Sequence, residues 1–184
     1  MAAILCIAGP IIVPIGIVPM SFANMAIYLT IILLDKKQAV ISTAVYLLIG
    51  LTGIPVFSGF SGGAGKLFGP TGGYLIGYLF LCWIAGTILE VLEKLKCKKE
   101  VSEGEYKNLK IEKRSRVIIK IMALGIGTIG VYFFGTVWLM YQSNFTFMEA
   151  LSVGVLPFVI FDIFKIVTAV SFGNVIKKRM GAVL

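Results

Sequence analysis

The stretch SGFSGGAGKLFGPTGGYLIGY (58–78) holds eight glycines, one lysine and no other charge. Read alone, its GGAGK suggests a phosphate-binding loop. Set between apolar helices, the same stretch is a loop shaped for a different ligand. Its surroundings decide. The phosphate motif needs G-x-x-x-x-G-K-[ST] after a strand. With Gly65 and Lys66 as the G-K pair, the first glycine falls on Phe60 and the hydroxyl on Leu67. The magnesium ligand is missing and no strand precedes, so the nucleotide reading is rejected.

Composition places the loop in a membrane protein. Of 184 residues, 58% are hydrophobic and 14% charged, and the mean hydropathy is +0.96. A soluble domain carries about 25% charge. Six apolar segments follow one another, near residues 1–13, 20–34, 39–54, 72–92, 117–141 and 148–172. A helix needs roughly 20 apolar residues to cross the hydrocarbon core. The expected fold is therefore all-α: a single domain, 1–184, built as an integral membrane bundle of six transmembrane helices. The first segment is short for a crossing. It is either tilted and packed or the visible part of a longer one.

The formal charge of +8 does not point to nucleic acid, because the cations gather in short stretches between apolar runs. Lys36 and Lys37 separate segments two and three; ten more lie between residues 94 and 120; Lys177, Lys178 and Arg179 close the chain. These are fifteen of the 17 basic residues. With six crossings they share one face, which the positive-inside rule makes cytoplasmic, with both termini. The mixed-charge stretch 94–116 reads as a solvated connection, with lipid headgroups or a partner as lesser contacts. No histidine is present and the three cysteines are scattered, so histidine catalysis, a disulfide framework and a cysteine metal site are not expected.

Two cations remain, Lys66 in the glycine-rich loop and Lys165 in the sixth segment. Asp162 and Lys165 stand three apart in PFVIFDIFKIV, on one helix face. A charge at the centre of a spanning helix costs ~2.5–3.5 kcal/mol on insertion scales, so such residues face a cavity or a partner. A structural ion pair is the plain reading and a polar ligand site the sharper one. Glu149 lies near the surface and suits a helix N-terminus. GIGTIG (125–130) lies within the fifth segment, where small residues allow close helix packing. The sequon NFT (144–146) carries little weight. Around the loop, Phe57, Phe60, Phe68 and Tyr74 set flat apolar surfaces beside glycine backbone, a cup for a small amphipathic molecule.

IPVFSGFSGGAGKLFGPTGGYLIGY, PIGIVPM near the start and GVLPFVIFDIFKIVTA near the end occur in the order that resembles the BioY family, the biotin-specific S components of energy-coupling-factor (ECF) transporters. The resemblance covers nearly the whole chain. It implies a biotin-binding subunit of a bacterial plasma membrane transporter, neither an enzyme nor a cofactor protein. Its implied partners are a transmembrane coupling protein, two cytoplasmic ATPases and membrane lipid. Three departures stand out: Asn24 where the family leads one to expect glutamine, no clear run of spaced small residues in the first segment, and no clearly placed counterpart of the basic residue that the family carries near the glycine-rich block, for which Lys66 is the candidate.

The resemblance also implies ligand contacts. Asp162 would accept from a ureido N–H and Lys165 would donate to the ureido oxygen. Phe57, Phe68 and Trp138 would pack on the sulfur ring, beside Tyr74. The carboxylate would sit near Lys66 or the amides of Gly62, Gly63 and Gly65. The reverse docking, carboxylate on Lys165, stays open. So does the choice of vitamin. A membrane enzyme would need paired carboxylates or a nucleophile with its base, and a single intramembrane acid does not supply them. A channel or structural bundle fits the lone acid–base pair less well than a closed pocket.

Overall fold

The computed structural model describes residues 1–14, 20–103 and 109–180. Parts of three expected features lie outside these residues: PIGIVP, the middle of the basic connection and the C-terminal end.

The chain is a helical bundle. In order come α1 (Ala2–Ala8), a two-residue strand β1 (Ile12–Val13), its antiparallel partner β2 (Met20–Ser21), α2 (Ala23–Leu33), α3 (Lys36–Leu51), a single turn α4 (Ala64–Leu67), α5 (Gly72–Glu103), α6 (Leu109–Ser143), α7 (Phe147–Gly154) and α8 (Leu156–Met180). Among the described residues, three stretches are long and apolar enough to cross a membrane: Gly72–Leu92, Arg116–Ser143 and Phe147–Arg179. The 11 residues of α2 reach about 17 Å at 1.5 Å per residue, short of the ~30 Å hydrocarbon core.

Several boundaries differ from the sequence expectation for local reasons. The first apolar segment is helical only to Ala8, because Pro10 follows Gly9 and cannot continue a hydrogen-bonded turn. The chain then enters the β1–β2 ribbon. There the Ser21 hydroxyl donates to Gly9 O (2.8 Å) and accepts from Ala23 N (2.9 Å), which starts α2 only after Phe22. Lys36 and Lys37 are not in a loop but in the first turn of α3, where Lys36 pairs with Glu90 of α5 at 3.3 Å. The basic stretch after residue 94 is helical backbone up to Glu103 and again from Leu109. Lysine and glutamate are strong helix formers, so the expected solvated connection is mostly two helix ends.

Glycine controls how close these helices come. Gly73, Gly77 and Leu81 of α5 meet Trp138, Val131 and Gly127 of α6 in turn, an antiparallel pairing. Of the three glycines in 125–130, Gly127 packs against Leu81 and Ala85, while a Cβ at Gly125 would meet open space. The core lies between α2, α3, α5 and α8 and includes Tyr28, Tyr46, Phe57, Leu81 and Cys82. Its polar groups are matched in pairs: Tyr28 with Thr128 at 2.9 Å, Thr43 with Cys82 at 3.2 Å. Thr30 and Thr43 also donate to carbonyls one turn back, at Ala26 and Ala39.

The sixth apolar segment is broken. α7 opens with a capping box between Thr146 and Glu149 and stops at Gly154, because Pro157 has no N–H for Val153 O. Phe158 N–H turns to Val155 O instead (2.9 Å). The carbonyl of Gly154 is taken by the Tyr74 hydroxyl at 3.1 Å. Tyr74 lies in a slot that Gly135 and Gly154 leave open, since a Cβ at either would strike its ring or hydroxyl.

A Cβ at Gly73 would run into Trp138 and lie 2.9 Å from Phe134 O. Gly73→Ala is therefore expected to destabilise the protein by about 1–3 kcal/mol through overpacking. The check is a thermal melt in detergent; an unchanged midpoint would mean that α5 and α6 can part at no cost.

Candidate functional site

A cavity opens between the ribbon, the loop 53–72 and the ends of α5, α6, α7 and α8 that meet them. Met20 and Ser21 come from β2, Ala23 and Asn24 from the first turn of α2, Tyr46 from α3 and Ser58 from the loop. Thr71 precedes α5, which adds Tyr74, Leu75 and Tyr78; α6 adds Val131 and Tyr132; Gly154, Phe158, Asp162 and Lys165 complete the wall.

Asp162 and Lys165 form its polar floor. They are 3% and 5% exposed, and their charged atoms are 3.4 Å apart. Burying either alone would cost several kcal/mol in lost hydration. The protein offsets this with a shell of neutral groups. Tyr132 of α6 donates to Asp162 Oδ2 at 2.7 Å. The Asn24 amide of α2 straddles the carboxylate, 3.3 Å from each oxygen. Tyr78 of α5 donates to Asn24 Oδ1, which fixes the amide with its N–H groups toward the acid. Lys165 Nζ donates to Ser21 O on β2 at 3.0 Å. Residues from β2, α2, α5 and α6 thus converge on one helical turn of α8.

This floor carries no net charge, yet it presents an acceptor and a donor side by side. Such a surface suits a neutral polar group with donors and an acceptor of its own. It suits a free anion or cation poorly, because each charge already faces its opposite.

Of the residues singled out in the sequence, the structure brings Asp162, Lys165 and Tyr74 to one cavity. The rest do not line it. Phe57 is fully buried, its ring edge-on to Tyr46 (5.5 Å between centroids) and seated over Gly50. Phe68 is 58% exposed. Trp138 packs on Gly72 and Gly73 and donates to Gly69 O at 2.9 Å, pinning the glycine-rich segment to α6. Lys66 is in α4, and Gly63 precedes that turn with a φ of +86° that a side chain would resist. Gly62 lies against the backbone of Gly53 and Ile54, whereas a Cβ at Gly65 would meet nothing. Gly63 thus serves a turn and Gly62 close packing.

Sequence reasoning passed over Tyr78, Tyr132 and Ser21, and noted Asn24 only as a departure. A signal existed for the first two. A tyrosine inside an apolar span needs a partner for its hydroxyl, and Tyr74 and Tyr78 share a helix face. The Ser21 carbonyl had none, because a backbone acceptor has no sequence signature.

The BioY family model matches residues 1–182. The biotin transporter BioY2 of Lactococcus lactis subsp. cremoris is 33% identical over 172 residues, 94% of this chain and 83% of that one. The biotin transporter BioY of Thermotoga maritima is 32% identical over 176 residues, 96% of this chain and 90% of that one. A crystal structure of the S-component for biotin from an ECF-type ABC transporter superposes with a TM-score of 0.75 at 31% identity, covering 96% of this chain and 86% of that chain.

Removing one member of the buried pair leaves the other charge bare. Lys165→Met is expected to cost about 3–5 kcal/mol of stability, and the double variant Asp162→Asn/Lys165→Met less than the sum of its singles. A double-mutant cycle of melts in detergent measures the coupling; strictly additive losses would refute it.

Proposed function

The chain belongs to the BioY family, and from that premise we infer that it is the biotin-binding S component of an ECF-type uptake transporter. It is a multi-pass membrane protein of transport, not an enzyme. The observation that carries the ligand assignment is the neutral, dipolar floor. Biotin's ureido ring offers two N–H donors and one carbonyl, which is what an Asp–Lys pair in contact can read. On this reading Asp162 accepts a ureido N–H and Lys165 donates to the ureido oxygen. Tyr132 holds the carboxylate while it does so, and Tyr74 with Phe158 gives the apolar wall.

The topology proposed for it is six crossings, whose helical parts are α1, α2, α3, α5, α6 and the broken α7–α8, with α1 and α2 completing their crossings through the chain that joins them, and with both termini in the cytoplasm. Supporting this, the cations at the start of α3, at the facing ends of α5 and α6 and in the last turn of α8 fall on one side in such a bundle. The cavity is built from the opposite ends of the helices, so it faces outward, as capture from outside requires. Energy for uptake comes from partners, for which we propose a transmembrane coupling protein with two cytoplasmic ATPases.

Asp162→Asn keeps the shape of the side chain but removes the charge that Lys165 and a ureido N–H both use. Hydrogen bonds to charged groups contribute about 1.5–3 kcal/mol, so biotin binding should weaken ~10–150-fold. The check is calorimetric titration of the detergent-purified protein, with a melting curve to show that the variant is folded. Wild-type affinity in a folded Asp162→Asn protein would remove the pair from the site. Another vitamin in the mass spectrum of ligand released from the wild type would overturn the specificity.

A further inference from the structure

The polar lining of the cavity is uneven. Tyr46 donates to Val56 O, Tyr74 to Gly154 O, Tyr78 to Asn24, Tyr132 to Asp162 and the Ser21 hydroxyl to Gly9 O. Ser58 and Thr71 line the same cavity, and among the described residues neither hydroxyl has a partner. They come from the two arms of the glycine-rich loop. Ser58 is in the turn closed by the Phe57–Ser61 bridge, and this turn is tied down by Gly59 N–H donating to Pro10 O. Thr71 leads into α5, seven residues before Tyr78. Tyr78 stands level with the floor through Asn24, so Thr71 stands roughly 10 Å above it along the helix axis.

Among the described residues, no cation accompanies these hydroxyls. Lys165 is the only described cation on the cavity wall, and Lys66 is outside it. Residues 15–19, which lead into β2, contain no ionisable side chain.

We propose that Ser58 and Thr71 form a neutral tail subsite, and that the protein therefore binds biotin derivatives with uncharged tails, biotin amides above all, nearly as well as the free acid. This rests on the biotin reading of the floor. With the ureido ring on Asp162 and Lys165, the acid tail extends along α5 toward the two hydroxyls. There each hydroxyl donates to a tail oxygen. A carboxylate and an amide both offer that oxygen, and the absence of a cation removes the main reason to prefer the carboxylate. Recognition is concentrated at the ureido end, and the tail end reads length and an acceptor rather than charge.

Calorimetric titration of the detergent-purified full chain with biotin and with its primary amide tests this. The wild type should bind the amide within about tenfold of biotin, a gap of one hydrogen bond or less. Ser58→Ala/Thr71→Val should weaken both ligands by about tenfold and keep their ratio, and Lys66→Ala should change neither. If the double variant melts early, the single variants and the wild-type ratio still decide. An amide bound about a hundredfold more weakly than biotin would overturn the tail subsite and leave the floor intact. So would a Lys66→Ala loss confined to biotin. Failure of both ligands to bind a folded wild type would overturn the biotin reading and the tail subsite with it.

Discussion

The bundle is organised by one costly act: α8 places a carboxylate and an ammonium in an apolar interior, one turn apart. Neither tolerates isolation there, and the pair leaves further donors and acceptors to be matched. The matches come from far along the chain. Asn24 lies 138 residues before Asp162, and Ser21 lies 144 before Lys165. A slip of α8 by one residue would turn the pair about 100° away from α2 and α6 and strand two charges at once. The pair thus sets the register of α8 against its neighbours far more sharply than apolar packing can, since apolar side chains tolerate rearrangement.

The same logic explains the irregular end of the molecule. Within a membrane, backbone polar groups exposed by a break need new partners. At the break the Phe158 N–H turns to Val155 O, and the Gly154 carbonyl that it leaves is satisfied by the Tyr74 hydroxyl. The loop between α3 and α5 folds back on its own backbone: Gly63 N–H reaches Gly50 O at 2.7 Å and Phe57 N–H reaches Ser61 O at 2.9 Å. Glycines at 135 and 154 admit the tyrosine; those at 72 and 73 admit Trp138. The glycine-rich segment thus also frames the cavity, which its Ser58 and Thr71 line.

The sequence made membrane helices and the Asp162–Lys165 pair legible because both are violations of ordinary composition: too little charge overall, and two charges where none belong. Helix ends were less legible. The basic stretch after residue 94 looks like a loop by hydropathy, yet its residues favour helix, and polarity alone does not end one. Of the aromatics near the loop, Tyr74 reached the cavity and Phe57 went to the core. Nothing local distinguishes them, since the difference lies in Gly50, which receives the Phe57 ring, and in Gly135 and Gly154, which receive Tyr74. Asn24 and Tyr132 acquire meaning only once α2 and α6 stand beside α8.

A floor whose charges are already matched has a consequence for selectivity. A ligand gains little by bringing charge to it, because each added attraction comes with a repulsion from the partner one turn away. It gains by replacing the weakest existing contact with a better one. Of the neutral donors on Asp162, the Asn24 amide, shared between two oxygens at 3.3 Å each, makes the longer contacts and Tyr132 at 2.7 Å the shorter one. A ureido N–H that displaces the amide exchanges two long contacts for one short, charge-assisted bond. A ring without that N–H would leave the carboxylate no better matched than before. On the biotin reading proposed above, discrimination comes from hydrogen bonds exchanged at buried groups rather than from the fit of apolar surface, and that is the stronger of the two ways to reject a near isostere.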